Sequence, residues 1–275
     1  MQKRKLSLEE HQAILYEILY AVDDFCKLHG INYFLAHGSL LGAVRHHGII
    51  PWDDDVDLWM KRVDYEKFLS LSRSFSIPGF TVNSFNYTKN YYYPFIKVSK
   101  NNTILVEPYS YVPNNGIGIN IDIFPIDGCP SANYLEAKNY SISTFDSIWR
   151  CLHIWTEMKW SSFKGFEQKL VYLKYKLPSM KRRIFANLYN SVKRFPLNES
   201  VYCGNIVWNF HIGECVYKTE WISETINIPF GNKSLPVPKD YDAILKSQYG
   251  NYMCLPPINK RKSTHEHGDG VYIMF

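Results

Sequence analysis

The chain of 275 residues predicts an α+β protein: a mixed β-sheet of several strands with flanking helices and a helical section inserted or appended after residue 130. Three observations carry that prediction. Residues 7–29 and 37–47 repeat apolar side chains at helical spacing, short alternating stretches follow one another up to residue 128, and the composition turns helical, aromatic and basic from about Ala132 to Phe195.

The first helix is punctuated at both ends. Ser7 stands where a cap is wanted, Glu10 three residues later completes a capping box, and Gly30 suits the left-handed residue that stops a helix. Ile14, Leu15, Ile18, Leu19, Val22 and Phe25 form its buried stripe. "INYFLA" then reads as a short strand, "HGSLLGAVRHHG" as a second helix opened by Gly38-Ser39, "DVDLWM" as a strand and "VDYEKFLSLSRSF" as a helix ended by "IPG". "FTVNSF", "YYYPFIKVSK" and "NTILVE" are the next strands. In "GIGINIDIFPID", Ile117, Ile119, Ile121 and Ile123 alternate with Gly118, Asn120 and Asp122, so one face is apolar and the other is aimed at a site. Turn signals ("IPFGNKSLPVPKD") and a short helix ("YDAILKSQYG") close the chain. The expected division is a catalytic core over 1–130, a basic helical insertion over 131–200, and a segment 201–275 that completes the core.

Hydrophobic residues at 46% and charged residues at 21% describe a globular chain. A net charge of +5 suits an anionic partner without requiring nucleic acid, and no basic-aromatic recognition module is visible. Six scattered cysteines (Cys26, Cys129, Cys151, Cys203, Cys215, Cys254) lack zinc-like spacing, and the expectation is reduced, mostly buried thiols in a cytoplasmic chain. The basic N-terminus is not followed by a signal core, and no apolar run reaches the length of a membrane span. Between Lys164 and Arg194, basic residues including Lys181, Arg182 and Arg183 alternate with apolar ones. Such a stretch is either a solvated helical face or a peripheral contact with an anionic membrane.

The chemistry concentrates in "HGSLLGAVRHHGIIPWDDDVDLWM", where four carboxylates occupy five positions after Pro51-Trp52. Like charges so close repel, and each loses hydration beside apolar neighbours. Read as a strand, Asp55 and Asp57 project together, about 6–7 Å apart, with Val56 and Leu58 turned to the core. Asp53 joins them at the strand entrance and Asp54 points away. Two such carboxylates hold a hard cation, magnesium or manganese (Mg2+ or Mn2+), whose remaining positions go to water and substrate phosphates. Asp122 supplies a further carboxylate from a second strand, as general base or as metal ligand. Gly38 and Ser39 open a helix that can receive phosphate on its backbone N–H groups. Arg45 is either a phosphate grip or an ion-pair partner of the acidic turn, and Lys97 either reaches the donor phosphates or snorkels from a sheet edge. His46 and His47 read as an exposed pair at a helix end, and His265 and His267 share one face of an extended tail.

This long ordered stretch, followed by "NIDIFPID" and the tail "YDAILKSQYGNYMCLPP…KRKSTH", resembles the LicD family of phosphocholine transferases, to which fukutin and fukutin-related protein are related. The resemblance covers about Gly30 to His265 and is weakest over 130–210. It implies a nucleotidyltransferase-like fold, with Gly38 and Ser39 as the phosphate-binding turn, Asp55 and Asp57 as the metal pair, Asp53 as a third ligand, Asp122 as the distal carboxylate and His265 on the substrate side. The implied reaction moves a phosphoalcohol, phosphocholine first, from a CDP-alcohol to a sugar hydroxyl of a glycan or lipid-linked glycan, at the inner face of the membrane. Two other classes use similar residues. A glycosyltransferase also employs an Asp-x-Asp strand but releases a nucleoside diphosphate, and a non-enzymatic glycan-binding protein would tolerate loss of the acidic cluster.

Overall fold

The computed structural model describes residues 3–89, 91, 93–106, 117–156, 189–209, 216–263 and 270–274, with scattered positions between 165 and 187; from 149 to 156 only the backbone is described. The chain divides into two compact units, one formed by 1–126 and 220–275, the other by 127–219. The fold is α+β.

In the first unit, helix α1 (Leu8–His29) starts as its sequence requires. The Ser7 hydroxyl accepts from the Glu10 amide at 3.2 Å, the Glu10 carboxylate accepts from the Ser7 amide at 2.9 Å, and Gly30 ends the helix at φ 59°. Its buried stripe includes Leu15, Ile18, Leu19 and Val22. Strand β2 (Phe34–Leu35) leads into α2 (His37–His46), then β3 (Asp57–Lys61), α3 (Arg62–Ser74), β4 (Phe80–Asn83), β5 (Ile96–Lys100) and β6 (Thr103–Val106). Strand β7 (Asn120–Gly128) runs from this unit into the next.

The central sheet has the order β2-β3-β7-β5-β4, with β3 and β7 parallel and the other pairs antiparallel. It is therefore mixed, and its core is built from Leu35, Leu58, Ile96, Val98, Ile121 and Ile123, all fully buried. The basic start of the chain forms a strand of its own: β1 (Lys3–Lys5) pairs with β12 (Gly270–Met274), which pairs in turn with β6. The "IPFGNKSLPVP" stretch, expected as turns, is a hairpin of β10 (Thr225–Phe230) and β11 (Lys233–Pro238), with Gly231 at φ 60° in its two-residue loop. Helix α5 (Tyr241–Tyr249) follows it.

In the second unit, α4 (Tyr134–Thr156) precedes β8 (Tyr202–Gly204) and β9 (Tyr217–Lys218), which pair antiparallel. Strand β8 also pairs with Asp127 and Gly128 at the end of β7. The basic stretch 164–194 falls largely outside the described residues, Lys181 and Arg182 among them. Within it Phe166, Leu170 and Leu173 are exposed. Cys26, Cys129 and Cys203 are free and buried, whereas Cys254 is free and exposed. Among the described residues no helix is long and apolar enough to cross a membrane.

Candidate active site

The acidic stretch follows a turn at Pro51-Trp52. Strand β3 is regular from Asp57 to Lys61, later than the alternation of "DVDLWM" predicts, although the Val56 carbonyl already accepts from the Asp122 amide of β7 at 2.9 Å. Pro51 and Trp52 occupy the centre of a turn closed by the Asp53 amide on the Ile50 carbonyl at 2.8 Å, and proline presets the backbone for that position. Gln12 of α1 pins the turn by donating to the carbonyls of Ile50 (3.1 Å) and Asp53 (2.7 Å). The Ile49 amide donates to the Tyr16 hydroxyl at 2.9 Å. Asp54, expected to point away from the face shared by Asp55 and Asp57, is buried at 7% exposure, and its amide donates to Asp53 Oδ1 at 3.2 Å.

The start of α2 fits against this turn. A Cβ at Gly38 would stand 2.9 Å from Asp53 Oδ2, so only glycine admits that carboxylate so close to the helix. At Gly42 a Cβ would collide with the Gly48 carbonyl of the returning loop. The Ser39 hydroxyl accepts from the Asp57 amide at 2.9 Å, which joins the helix start to the first residue of β3 and leaves the hydroxyl proton to donate elsewhere.

Register then sets a polar row across the sheet. Asp57 pairs with Asp122, Asp122 with Lys97, and Lys97 with Asn83, so four side chains from β3, β7, β5 and β4 lie abreast on one face. Lys97 donates to both Asp122 oxygens (2.8 and 3.0 Å) and to Asn120 Oδ1 at 3.0 Å. It lies mid-sheet and buried, which corrects the picture of an edge lysine snorkelling outward. Its ammonium also faces the rings of Tyr93 and Phe95.

The carboxylates of the site crowd one another. Desolvation and the neighbouring Asp55 and Asp54 push the Asp53 carboxyl up to about 8. Asp57 is raised well above the ordinary carboxylate range, first by desolvation and then by Asp55, Asp122 and Asp53, with Lys97 opposing. Among the described residues no three His, Cys, Asp or Glu side chains are gathered into a ready-made metal cage. The donor set does fit a hard cation that takes one or two carboxylates. Its atoms are all carboxylate oxygens, half-buried and mutually repelling, and a divalent ion would relieve the repulsion that raises Asp53 and Asp57.

Three neighbours of this cluster escaped the sequence reading. His37 heads α2 at φ 45°, a left-handed conformation uncommon outside glycine, and its ring meets Trp59 (4.8 Å) and Phe124 (5.9 Å) edge to face. Desolvation lowers its imidazole to about 4, so it is neutral at physiological pH. Helix α5 contributes Gln248, whose Nε2 lies 3.3 Å from His37 Nδ1, and Tyr249. Tyr249 titrates above its ordinary value through desolvation and the charges of Asp57, Asp55 and Asp53. The signal available was the "SQYG" helix end, whose place beside the acidic turn is a long-range contact.

Arg45 does not pair with the acidic turn. Its guanidinium donates to the Tyr252 carbonyl (2.7 Å) and to His46 Nε2 (3.0 Å). His47 is exposed as expected, but His46 is half-buried against Trp52. His265 and His267 lie outside the described residues.

Comparison with known proteins bears on the same segment. Residues 30–128 match the family described as LicD/FKTN/FKRP, nucleotidyltransferase domain. Over 272 residues, 95% of this chain and 97% of the relative, the sequence is 26% identical to the lipopolysaccharide cholinephosphotransferase LicD of Haemophilus influenzae. Mouse ribitol 5-phosphate transferase FKRP is 37% identical over 90 residues, 32% of this chain and 18% of that protein. The uncharacterized protein RP689 of Rickettsia prowazekii is 34% identical over 83 residues, 30% of this chain and 31% of that protein. The matched segment, which resembles the LicD/FKTN/FKRP nucleotidyltransferase domain over about a third of the chain, holds the helix start, the acidic turn, β3 and β7, the elements that build the polar row.

Proposed function

We propose that the protein is a metal-dependent phosphotransferase that moves a phosphoalcohol, phosphocholine first, from a CDP-alcohol to a sugar hydroxyl of a cell-surface glycan precursor. The observation that carries this reading is the crowding of the Asp53, Asp55 and Asp57 carboxylates beside the Lys97-held Asp122, in a chain similar along nearly its whole length to a cholinephosphotransferase.

In this scheme Asp55 and Asp57, with Asp53 at the turn, would hold a magnesium or manganese ion, which when bound supplies positive charge for the donor's pyrophosphate. The chain's own residues do the rest. Asp122 takes the proton of the acceptor hydroxyl as its oxygen bonds to the alcohol-bearing phosphorus. The bridging P–O bond breaks and its electron pair leaves with CMP. Lys97 fixes both Asp122 oxygens, so the base faces the acceptor in one orientation. Ser39, its oxygen engaged by the Asp57 amide, turns its hydroxyl proton toward a donor phosphate oxygen at the start of α2. Neutral His37 offers a ring nitrogen without adding charge. The reaction would take place in the cytoplasm, at the inner face of the membrane bearing the acceptor.

The test incubates the purified protein and magnesium with CDP-choline, CDP-ribitol, CDP-glycerol and sugar nucleotides, together with glycan acceptors, and measures released nucleotide. CMP from one CDP-alcohol, abolished by EDTA, is the expected result. UDP or GDP from a sugar nucleotide would replace the reading with a glycosyltransferase.

A further inference from the structure

A second cluster borders the acidic turn, and it is basic. Trp52, the residue before Asp53, is half-buried between two elements distant in sequence. On one side the Arg261 guanidinium lies 5.6 Å from the ring centre, its Nε donating to the Pro256 carbonyl at 2.9 Å. On the other, the His46 ring meets Trp52 edge to face at 5.7 Å and accepts from Arg45 Nε at 3.0 Å. Arg45 Nη1 is tied to the Tyr252 carbonyl. Two guanidiniums are thus fixed around one indole, each anchored by a neutral backbone oxygen.

None of the ion pairs among the described residues involves Arg45 or Arg261. Desolvation draws the Arg45 guanidinium below its ordinary value and Arg261 adds to the effect, with Tyr249 opposing, so the two cations feel each other. The hydrogen bonds described use Arg261 Nε and, on Arg45, Nε and Nη1. Both terminal nitrogens of Arg261 and Nη2 of Arg45 are left for an acceptor from outside. Trp52 directly precedes Asp53, and Tyr249 lies within electrostatic reach of Asp53, Asp55, Asp57 and Arg45 alike, which puts the basic cluster near the carboxylates.

We propose that Arg45 and Arg261 form a phosphate-binding pair beside the acidic turn, with Trp52 and His46 holding the two guanidiniums in position. Two planar forks on neighbouring elements match an anion with several oxygens and more than one charge, which is a phosphate or diphosphate. A lone carboxylate would satisfy one fork only. The ligand's phosphate belongs either to the nucleotide donor or to a phosphorylated acceptor sugar. The inference deepens the function proposed above, but its test requires no turnover and no metal.

The experiment is calorimetric titration in EDTA with CDP and with glucose 6-phosphate, on the wild type and on Arg45→Gln, Arg261→Gln and Lys262→Gln. Lys262 is exposed and serves as the charge control. Each arginine variant is expected to bind at least one probe about tenfold more weakly, with Lys262→Gln unchanged. Loss confined to CDP assigns the pair to the donor, and loss confined to the sugar phosphate assigns it to the acceptor. Affinities unchanged in both arginine variants, or no binding of either probe by the wild type, would overturn the proposal. Should a Gln variant lose its wild-type melting transition, Arg261→Lys keeps the charge but not the fork, and weakened binding is again expected. Arginine-dependent binding without CMP release would sink the transferase and keep the pair; CMP release with arginine-indifferent binding would do the opposite.

Discussion

Asp23 of α1 and the aspartates of the 53–57 turn are the same side chain under opposite treatment. Asp23 is completely buried, and the protein surrounds it with the Tyr33 hydroxyl at 2.9 Å and the ammonium groups of Lys27 (2.7 Å) and Lys233 (3.1 Å). The turn crowds Asp53, Asp54, Asp55 and Asp57 together, so that neighbouring carboxylates raise Asp53 and Asp57, while Lys97 donates to Asp122. This chain is therefore able to neutralise a buried carboxylate when the charge serves the fold. The crowding at the turn is a local property, and a site proposed to receive a cation and a phosphorylated substrate has reason to keep it.

The contrast can be broken at either end. Asp57→Asn should lower CMP release by about a thousandfold, or about 4 kcal/mol of activation free energy, while the melting temperature stays at or above that of the wild type. Activity near the wild-type level would remove Asp57 from the site. Asp23→Ala should act only on stability, costing about 2 kcal/mol in urea unfolding because the buried Tyr33 hydroxyl loses its acceptor and the two lysines repel. Turnover per folded molecule should be unchanged. The smallest effect has the opposite sign. Asp53→Asn should stabilise the metal-free protein by about 1 kcal/mol by removing the cost of burying and protonating a crowded carboxyl, and should shrink the rise in melting temperature that magnesium gives the wild type. A destabilised Asp53→Asn protein would show that the turn's repulsion is already relieved by partners other than a cation.

Local chemistry made much of this fold legible. The capping box at Ser7 and Glu10, the Gly30 stop, the helix opened by Gly38 and Ser39, and the alternating face of β7 are all set by neighbours a few residues away, and the structure contains each of them. What sequence patterns missed depended on distant partners. "DVDLWM" alternates like a strand, but the regular strand begins only at Asp57, after a turn at Pro51-Trp52 that the distant Gln12 clamps. "KRK" at the start looks like a solvated basic tail, and it is a strand only because β12 lies beside it. Lys97 was visible as a mid-strand lysine. That its strand is internal and its partner is Asp122 follows from register, which no single stretch encodes. His37 combines both cases: a histidine with positive φ has no local signature, and its ring is placed by Trp59, Phe124 and Gln248.

The first unit is discontinuous, with 127–219 lying between its two pieces in the sequence, and this has a consequence for the chain as it is made. The acidic turn leaves the ribosome early, whereas the helix bearing Gln248 and Tyr249, and the loop bearing Arg261, follow only after the whole of the second unit. At about 5–20 residues per second the interval is roughly ten to forty seconds. Through that time the nascent aspartates remain in water, where their mutual repulsion is weakest, and the basic pair does not yet exist. A ribosome stalled within the second unit would hold a protein with every residue of the matched segment 30–128 and an unfinished candidate site.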